Sequence, residues 1–342
     1  MTVANEKEMA AALLAGTGRF AVCAHLRPDG DAVGSAVGLC RALRAAGREA
    51  FTLALRPVPE IYAYLDAEEC AGPEPGDFSP APGDTLVVLD CGSESRIPEA
   101  LRALPAKMRT LCIDHHENNG GIPGATCLVE PDAASASEIV LRVVRLAGLP
   151  VDRAAAEAFW TGVVTDSGRF SYGSTSRETL LAGADLVSAG VRTEAIAESV
   201  YGRVPMRRIR LQRRFLDHLA EDAGGKVVSG WLDAGDYAAE GCDTTDSENF
   251  VDIPRAATGC EIAAFVRRSS PGGKVNVSLR ARPPFDAAAI CAEWGGGGHV
   301  AAAGATLDTD LETALTTVRR RLCEAVGGPP PQTERDFSAP KW

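Results

Sequence analysis

The sequence predicts an α/β protein in two parts. An N-terminal parallel-sheet domain is joined by a helical linker to a smaller, mixed-sheet α/β C-terminal domain. Three observations carry this. In the first half, short apolar runs that end on histidine or aspartate alternate with segments of helical period, the pattern of a parallel sheet with helical crossovers. The chain has 342 residues, more than one hydrophobic core usually spans. A second set of strand-like runs begins only after Gly224-Gly225.

Composition narrows the function. Hydrophobic residues make up 45% and charged residues 24% of the chain, as in an ordinary globular protein. No apolar run is long enough to cross a bilayer. The start, MTVANEKEMAAALLAG, places two acids before a short apolar run and lacks the features of a signal peptide, so a cytoplasmic location is expected. There are ten cysteines and no CxxC pair. Cys23, Cys91 and Cys112 fall in or beside predicted strands and read as reduced core residues. The formal net charge of −11 argues against a protein that grips long nucleic acid through many phosphate contacts, and leaves room for a small anionic substrate in a local cationic pocket. Divalent cations held by aspartates would offset part of that charge.

The first strand, Phe20–Ala24, delivers His25 to a sheet edge. Pro28-Asp29-Gly30-Asp31 follows, where Gly30 lets the turn take angles closed to other residues and the two aspartates can face different metal ions. The next stretch, AVGSAVGLCRALRAAG, has helical spacing, and a helix start offers free N–H groups and partial positive charge. Glu49–Leu55 reads as a second strand, followed by a helical stretch after Pro59 and a proline-rich loop over Glu69–Gly83. Thr85–Leu89 is a third strand, ending on Asp90. Arg109–Ile113 is a fourth, ending on Asp114-His115-His116. Thr126–Glu130 reads as a strand, and Ala134–Ala147 and Ala154–Val164 as helices. The second of these runs into Thr165-Asp166, a carboxylate at the end of an apolar helix that calls for a cationic partner.

Of five histidines, three lie at predicted strand ends. In a parallel sheet the carboxyl ends share one edge, so His25, Asp90 and His115 can converge despite their separation in sequence. Beyond Asp166, helices are predicted over Arg177–Ser188 and Arg192–Tyr201. Arg203–Arg214 carries six arginines on a helical pattern and reads as an interdomain connector, with His218 on its surface. Lys226–Leu232, Glu261–Arg267 and Lys274–Arg280 read as strands. The run Gly295-Gly296-Gly297-Gly298-His299 has backbone N–H groups able to close around a phosphate, with His299 as a donor beside them. The expected domains are 1–202, a linker over 203–224, 225–326, and a disordered tail over 327–342.

The stations His25-x-x-Pro28-Asp29-Gly30-Asp31, Asp90, Asp114-His115-His116 and Thr165-Asp166 resemble, in order and approximate spacing, the motifs of the DHH phosphoesterase superfamily. Glu248-Asn249-Phe250, Ser278-Leu279-Arg280 and the GGGH run resemble the DHH-associated C-terminal domain of oligoribonuclease/bisphosphate-nucleotide phosphatases of the NrnA type. The resemblance implies an enzyme with its active site in the cleft between domains. It would hold two divalent ions, expected to be Mn²⁺, with His25 and Asp29 on one, Asp31, His115 and Asp166 on the other, and Asp90 bridging, so that hydroxide attacks phosphorus. Asp114 would orient a neighbouring ligand and His116 would donate to non-bridging phosphate oxygens. Asn249, Arg280, Gly296, Gly297, Gly298 and His299 would hold substrate.

The implied substrates are short single-stranded RNA, cut to 5′ mononucleotides, and adenosine 3′,5′-bisphosphate (pAp), which loses its 3′-phosphate. No membrane or long duplex is expected as a partner. A phosphodiesterase for linear dinucleotides such as pApA, acting in cyclic dinucleotide turnover, is the nearest alternative. A family II inorganic pyrophosphatase would need an Arg-Lys-Lys cluster that the second half lacks, and a long single-strand exonuclease would need a further domain. A catalytically inactive nucleotide-binding protein should have lost a ligand, and all six ligand positions hold residues of the right type.

Overall fold

The computed structural model describes residues 2–116 and 119–328. The chain divides into two compact units with the boundary between Arg203 and Val204.

The first unit has strands β1 (Thr2–Val3), β2 (Phe20–Cys23), β3 (Ala50–Thr52), β4 (Thr85–Leu89), β5 (Arg109–Asp114) and β6 (Thr126–Val129). They form one sheet in the order β1-β6-β5-β4-β2-β3, parallel throughout. The helices are α1 (Glu6–Leu14), α2 (Gly30–Ala45), α3 (Ala136–Leu146), α4 (Arg153–Asp166), α5 (Arg177–Ser188) and α6 (Thr193–Ala197). Strand side chains alternate between two buried faces. Phe20, Val22, Val87, Leu89, Leu111 and Ile113 pack under the helices, while Ala21, Cys23, Leu86, Val88 and Cys112 pack against Phe78, Ile97, Leu101 and Ile122 of the connecting loops. Burial on both sides explains why these strands read as continuous apolar runs.

Helices α2 and α4 approach closely because Gly30, Gly34 and Gly38 recur every four residues on one face of α2. A Cβ at Gly38 would lie 2.6 Å from the Phe159 ring, one at Gly34 would lie 2.7 Å from the backbone of Gly162, and one at Gly30 would collide with Thr165. This contact brings the start of α2, with Asp31, beside the end of α4, with Asp166.

Several boundaries differ from the sequence reading. The second strand is only Ala50–Thr52, and the stretch after Pro59 is a 3₁₀ turn, Glu60–Leu65. The helix expected over Arg192–Tyr201 is Thr193–Ala197 followed by a π turn over Glu198–Gly202. The N-terminal β1 and α1 carry too short a pattern to stand out. Their place is fixed by pairing of β1 with β6 and by packing of Met9 and Leu13 in the core.

The second unit contains α7 (Met206–Asp217), β7 (Ala220–Asp222), β8 (Val227–Leu232), α8 (Ala234–Glu240), α9 (Asp252–Arg255), β9 (Ile262–Arg267), β10 (Val275–Ala281), α10 (Ala287–Ala292), β11 (Gly297–His299), β12 (Ala302–Leu307) and α11 (Leu311–Ala325). Its sheet runs β11-β12-β10-β9-β8-β7 and is mixed, with only β8 and β9 parallel.

Leu211 and Phe215 of α7 are buried in the core of this unit with Phe250 and Phe265. Five of the six arginines of the basic stretch have local acceptors. Arg203 pairs with Glu198, Arg207 with Asp246, and Arg210 and Arg214 with Glu240, while Arg208 donates to the carbonyls of Thr245, Asp246 and Glu248. His218 was expected on the surface. It is instead half-buried, stacked on Trp231 with ring centroids 3.7 Å apart, because the end of α7 lies against β8. Of the expected tail, Gly327 and Gly328 close the last helix in a turn, and residues 329–342 lie outside the described residues.

Candidate metal centre

Strands β2, β4 and β5 are neighbours in the sheet, so the turns leaving their carboxyl ends share one edge. Those turns carry His25, Asp90 and Asp114-His115-His116. Asp29 and Asp31 come from the start of α2, and Asp166 from the end of α4. Ligand atoms of His25, Asp29 and Asp90 lie within 4.8 Å of one another, as do those of Asp31, His115 and Asp166, and those of Asp90, His115 and His116. Asp90 belongs to two of these groups. Its Oδ2 is 3.4 Å from Nε2 of His25, and its Oδ1 is 3.6 Å from Nε2 of His115.

Each of these side chains is held in place by its surroundings. Nδ1 of His25 donates to the carbonyl of Leu26 at 2.8 Å, and Nδ1 of His115 to that of Ala133 at 3.3 Å. A carbonyl only accepts, so Nδ1 bears a hydrogen and Nε2 is the nitrogen turned toward the carboxylates, where it can take a proton or a metal. Asp29 caps α2, its Oδ1 accepting from the N–H groups of Asp31 and Ala32, while Oδ2 faces Nε2 of His25 at 3.6 Å. Asp31 is fully buried and held across the structure by the first turn of α3, its oxygens accepting from the N–H groups of Ala136 at 2.6 Å and Ser137 at 2.8 Å. Asp166 places Oδ2 3.1 Å from Nε2 of His115. Asp90 adopts a φ of +52°, in the left-handed region, as do Arg27, Arg169 and Phe170 in adjoining turns. Such strain gathers where side chains must be aimed.

The donor set fits a divalent cation. Imidazole lone pairs that face carboxylates repel unless a positive charge lies between them. Asp90 is 2% exposed, and its Oδ1 has no hydrogen-bond donor among the described residues, an orphaned acceptor of the kind a cation satisfies. The electrostatics of the cluster point the same way. Burial opposes a charge on His25, but Asp29 and Asp90 outweigh it and push the imidazole up to about 10. Burial likewise opposes charge on His115, and Asp166 and Asp90 push it up to about 12. Burial would raise Asp90, yet His115 and His25 hold it below the usual carboxylate range. Asp31 is pushed up by burial and then by repulsion from Asp90 and Asp166, and Asp166 is pushed up first by burial.

His116 is held differently. Its Nδ1 lies 2.8 Å from Oδ1 of the fully buried Asp114, whose Oδ2 accepts from Nδ2 of Asn119 at 2.5 Å. The ring nitrogen that could reach Asp90, at 3.7 Å, is thereby engaged by Asp114. Asn119 in turn accepts from the N–H of Gly121. Asn119 and Arg96, which lies beside His116, escaped the sequence reading because neither belongs to a histidine–aspartate station.

Residues 19–163 match the family model for the DHH family N-terminal domain, and residues 224–325 match the DHHA1 domain. A Thermus thermophilus protein named bifunctional oligoribonuclease and PAP phosphatase NrnA is 34% identical, over 93% of this chain and 94% of its own. The chain belongs to the DHH family of phosphoesterases. A Bacillus subtilis protein of the same name is 24% identical to this DHH chain over 83% of it and 87% of the relative. Among solved structures, an exopolyphosphatase-related protein from Bacteroides fragilis shares the fold, with a TM-score of 0.84 at 23% identity, covering 93% of this chain and 96% of that one.

The sequence-predicted substrate residues of this DHH protein lie in its second unit. Arg280 on β10 pairs with Ala302 on β12, which also pairs with His299 on β11. Residues directly opposite in adjacent strands face the same side, so Arg280 and His299 share one sheet face with Ala302 between them. Nε of Arg280 donates to Asp252 at 3.0 Å, a partner the sequence did not suggest. Asn249 holds a turn at φ +64°, its carbonyl accepting from the N–H of Asp252. The glycine run is an edge strand rather than an open loop. Its glycines are required by close approach to β12: a Cβ at Gly296 would lie 2.7 Å from Cα of Ala305, and one at Gly298 would lie 2.6 Å from Cα of Ala303.

Proposed function

We propose that this protein is an Mn²⁺-dependent phosphoesterase that degrades short oligoribonucleotides to 5′ mononucleotides and removes the 3′-phosphate of pAp. The observation that carries the reading is the convergence of six side chains into two groups, His25-Asp29-Asp90 and Asp31-His115-Asp166, linked where Asp90 meets His115 at 3.6 Å, in a chain so alike over its length to a relative named for both activities. His25 and Asp29 would hold one ion and Asp31, His115 and Asp166 the other, with Asp90 touching both. The mixture of imidazole and carboxylate favours Mn²⁺ over Mg²⁺, which prefers oxygen donors and water. A bound pair of such ions supplies Lewis acidity toward phosphoryl oxygens and makes water a nucleophile near neutral pH.

The remaining roles belong to the chain. Asp114 and Asn119 fix the His116 ring, which contacts the non-bridging oxygens of the phosphoryl group as their charge grows. Arg280 and His299, sharing a face, hold the end of the substrate away from the scissile phosphate, and Asn249 and Gly296–Gly298 line the same region. A short substrate has few phosphates, so a few cations suffice in a chain of net negative charge. Such chemistry suits the cytoplasm, where short RNA fragments arise.

The test is release of AMP from pApA and of phosphate from pAp by the purified protein with Mn²⁺, compared with mixed-sequence dimers and trimers. Asp90→Asn should abolish turnover and leave the circular dichroism spectrum intact. Full activity of that variant removes the bridging role. No turnover by the unaltered protein on any of these substrates removes the function, and turnover confined to pApA assigns it to linear dinucleotides instead.

A further inference from the structure

The turn that leaves β4 carries a cation outside the histidine–aspartate stations. From Asp90 the chain runs Cys-Gly-Ser-Glu-Ser to Arg96, which closes a single 3₁₀ turn over Glu94–Arg96. The carbonyl of Arg96 accepts from the N–H of Leu26 at 2.9 Å, tying this turn to the one between His25 and Asp29. Its side chain goes elsewhere. Nη1 lies 3.3 Å from Nε2 of His116, the ring whose Nδ1 is held by Asp114. Arg96 is half-buried, and among the described residues its guanidinium forms no ion pair with a carboxylate.

That placement is informative because a guanidinium stays charged at any working pH and presents a planar fork matched to phosphate oxygens. Most arginines near carboxylates in this protein pair with them, as Arg192 does with Glu157 and Arg142 with Glu138. Arg96 stands beside a cluster of aspartates and lies against an imidazole instead, on the side of the cluster that His116 occupies. We infer that Arg96 is a substrate-contacting residue, whose guanidinium donates to the non-bridging oxygens of the scissile phosphoryl group beside His116. The inference rests on the phosphoesterase reading above. Arg96 makes and breaks no covalent bond; its hydrogen bond to His116 gives way to bonds with the phosphoryl oxygens, which strengthen as negative charge builds on them.

The tie to Leu26 runs through the backbone, so truncating the side chain leaves it in place. Arg96→Ala and Arg96→Lys are compared with the unaltered protein in three measurements on the Mn²⁺ form: Mn²⁺ affinity by electron paramagnetic resonance, binding of inorganic phosphate by calorimetry, and hydrolysis of pAp. For Arg96→Ala we expect Mn²⁺ affinity to stay put, phosphate Kd to rise by about tenfold or more, and kcat/KM to fall on the order of 10²–10³-fold. Added guanidinium ion should restore part of kcat in Arg96→Ala and none in Arg96→Lys, a rescue that a merely structural role would not show. Phosphate binding and kcat/KM within roughly threefold of the unaltered protein, under half a decade on the affinity scale, would overturn the inference, as would a parallel loss of Mn²⁺ affinity. If the unaltered protein hydrolyses none of the substrates, the phosphoesterase reading falls, and phosphate binding alone decides whether Arg96 contacts the anion.

Discussion

Gly162 on α4 lies so close to Asp31 on α2 that a Cβ at Gly162 would sit 2.5 Å from Oδ1 of that carboxylate and would collide with the hydroxyl of Ser137. The side chain that glycine lacks leaves the space in which Asp31 meets the first turn of α3. Gly162→Ala should therefore cost on the order of 1–3 kcal/mol in stability through overpacking and weaken Mn²⁺ binding by about tenfold or more through the displaced ligand. Thermal unfolding and a Mn²⁺ titration of the variant check both; unchanged Mn²⁺ affinity would show that Asp31 has room to move.

Protons and metal compete at the same nitrogens. His25 and His115 are raised to about 10 and about 12 by the carboxylates around them. A raised histidine contributes stability that is complete below its unfolded value, near 6.5, and is lost as pH climbs through the folded one. The EDTA-treated protein should thus lose melting temperature between pH 6.5 and pH 10, while the stabilisation by added Mn²⁺ grows over the same range as protons are displaced. Scanning fluorimetry at several pH values, with EDTA and with Mn²⁺, reads both trends. An Mn²⁺ effect independent of pH would remove the imidazoles from the ligand set.

At the opposite end of the sheet, Asp84 accepts from the N–H of Arg19, from its guanidinium at 2.6 Å and from the N–H of Ala81. Burial alone would raise Asp84, but Arg19 and these amides outweigh it and hold the carboxyl below its ordinary value. A depressed carboxyl contributes stability that is present above the unfolded value and disappears as pH falls through the folded one. Asp84→Asn is expected to destabilise by roughly 1–3 kcal/mol at neutral pH and by much less at acid pH. Urea unfolding at both pH values measures the difference, and an equal cost at both would show that the charge is immaterial.

Asp252 holds the guanidinium of Arg280 through Nε at 3.0 Å, while Nη1 donates to the carbonyl of Leu279 at 3.2 Å. Asp252→Ala should raise KM for pAp by about tenfold, the weight of one charge-assisted hydrogen bond, with kcat little changed. Steady-state kinetics separates the two, and a fall in kcat alone would place Arg280 at the chemistry instead of at substrate binding.

The residues proposed as metal ligands were legible as a set because their chemistry is local. A histidine or aspartate that ends an apolar run announces a sheet edge, and three of the six, His25, Asp90 and His115, do so, with the others at helix ends. Arg96, Asn119 and Asp252 were not legible, since arginine, asparagine and aspartate in a loop are ordinary and nothing nearby marks what they will face. The glycine run left its own form open. Glycine permits both an open loop and a strand pressed against its neighbour, and only the pairing of Gly297–His299 with β12 separates them.

By itself the sequence determined the alternation of strand and helix, the residue types offered at each strand end and the division into two parts, because these follow from apolar period and from side-chain chemistry along the chain. The tertiary structure decided which nitrogen of each histidine faces the carboxylates, that α3 holds Asp31, and that Asp114 claims His116. Those outcomes depend on backbone carbonyls and amides brought from distant segments by packing, and a carbonyl or an N–H is the same in every residue that the sequence spells, proline's nitrogen aside.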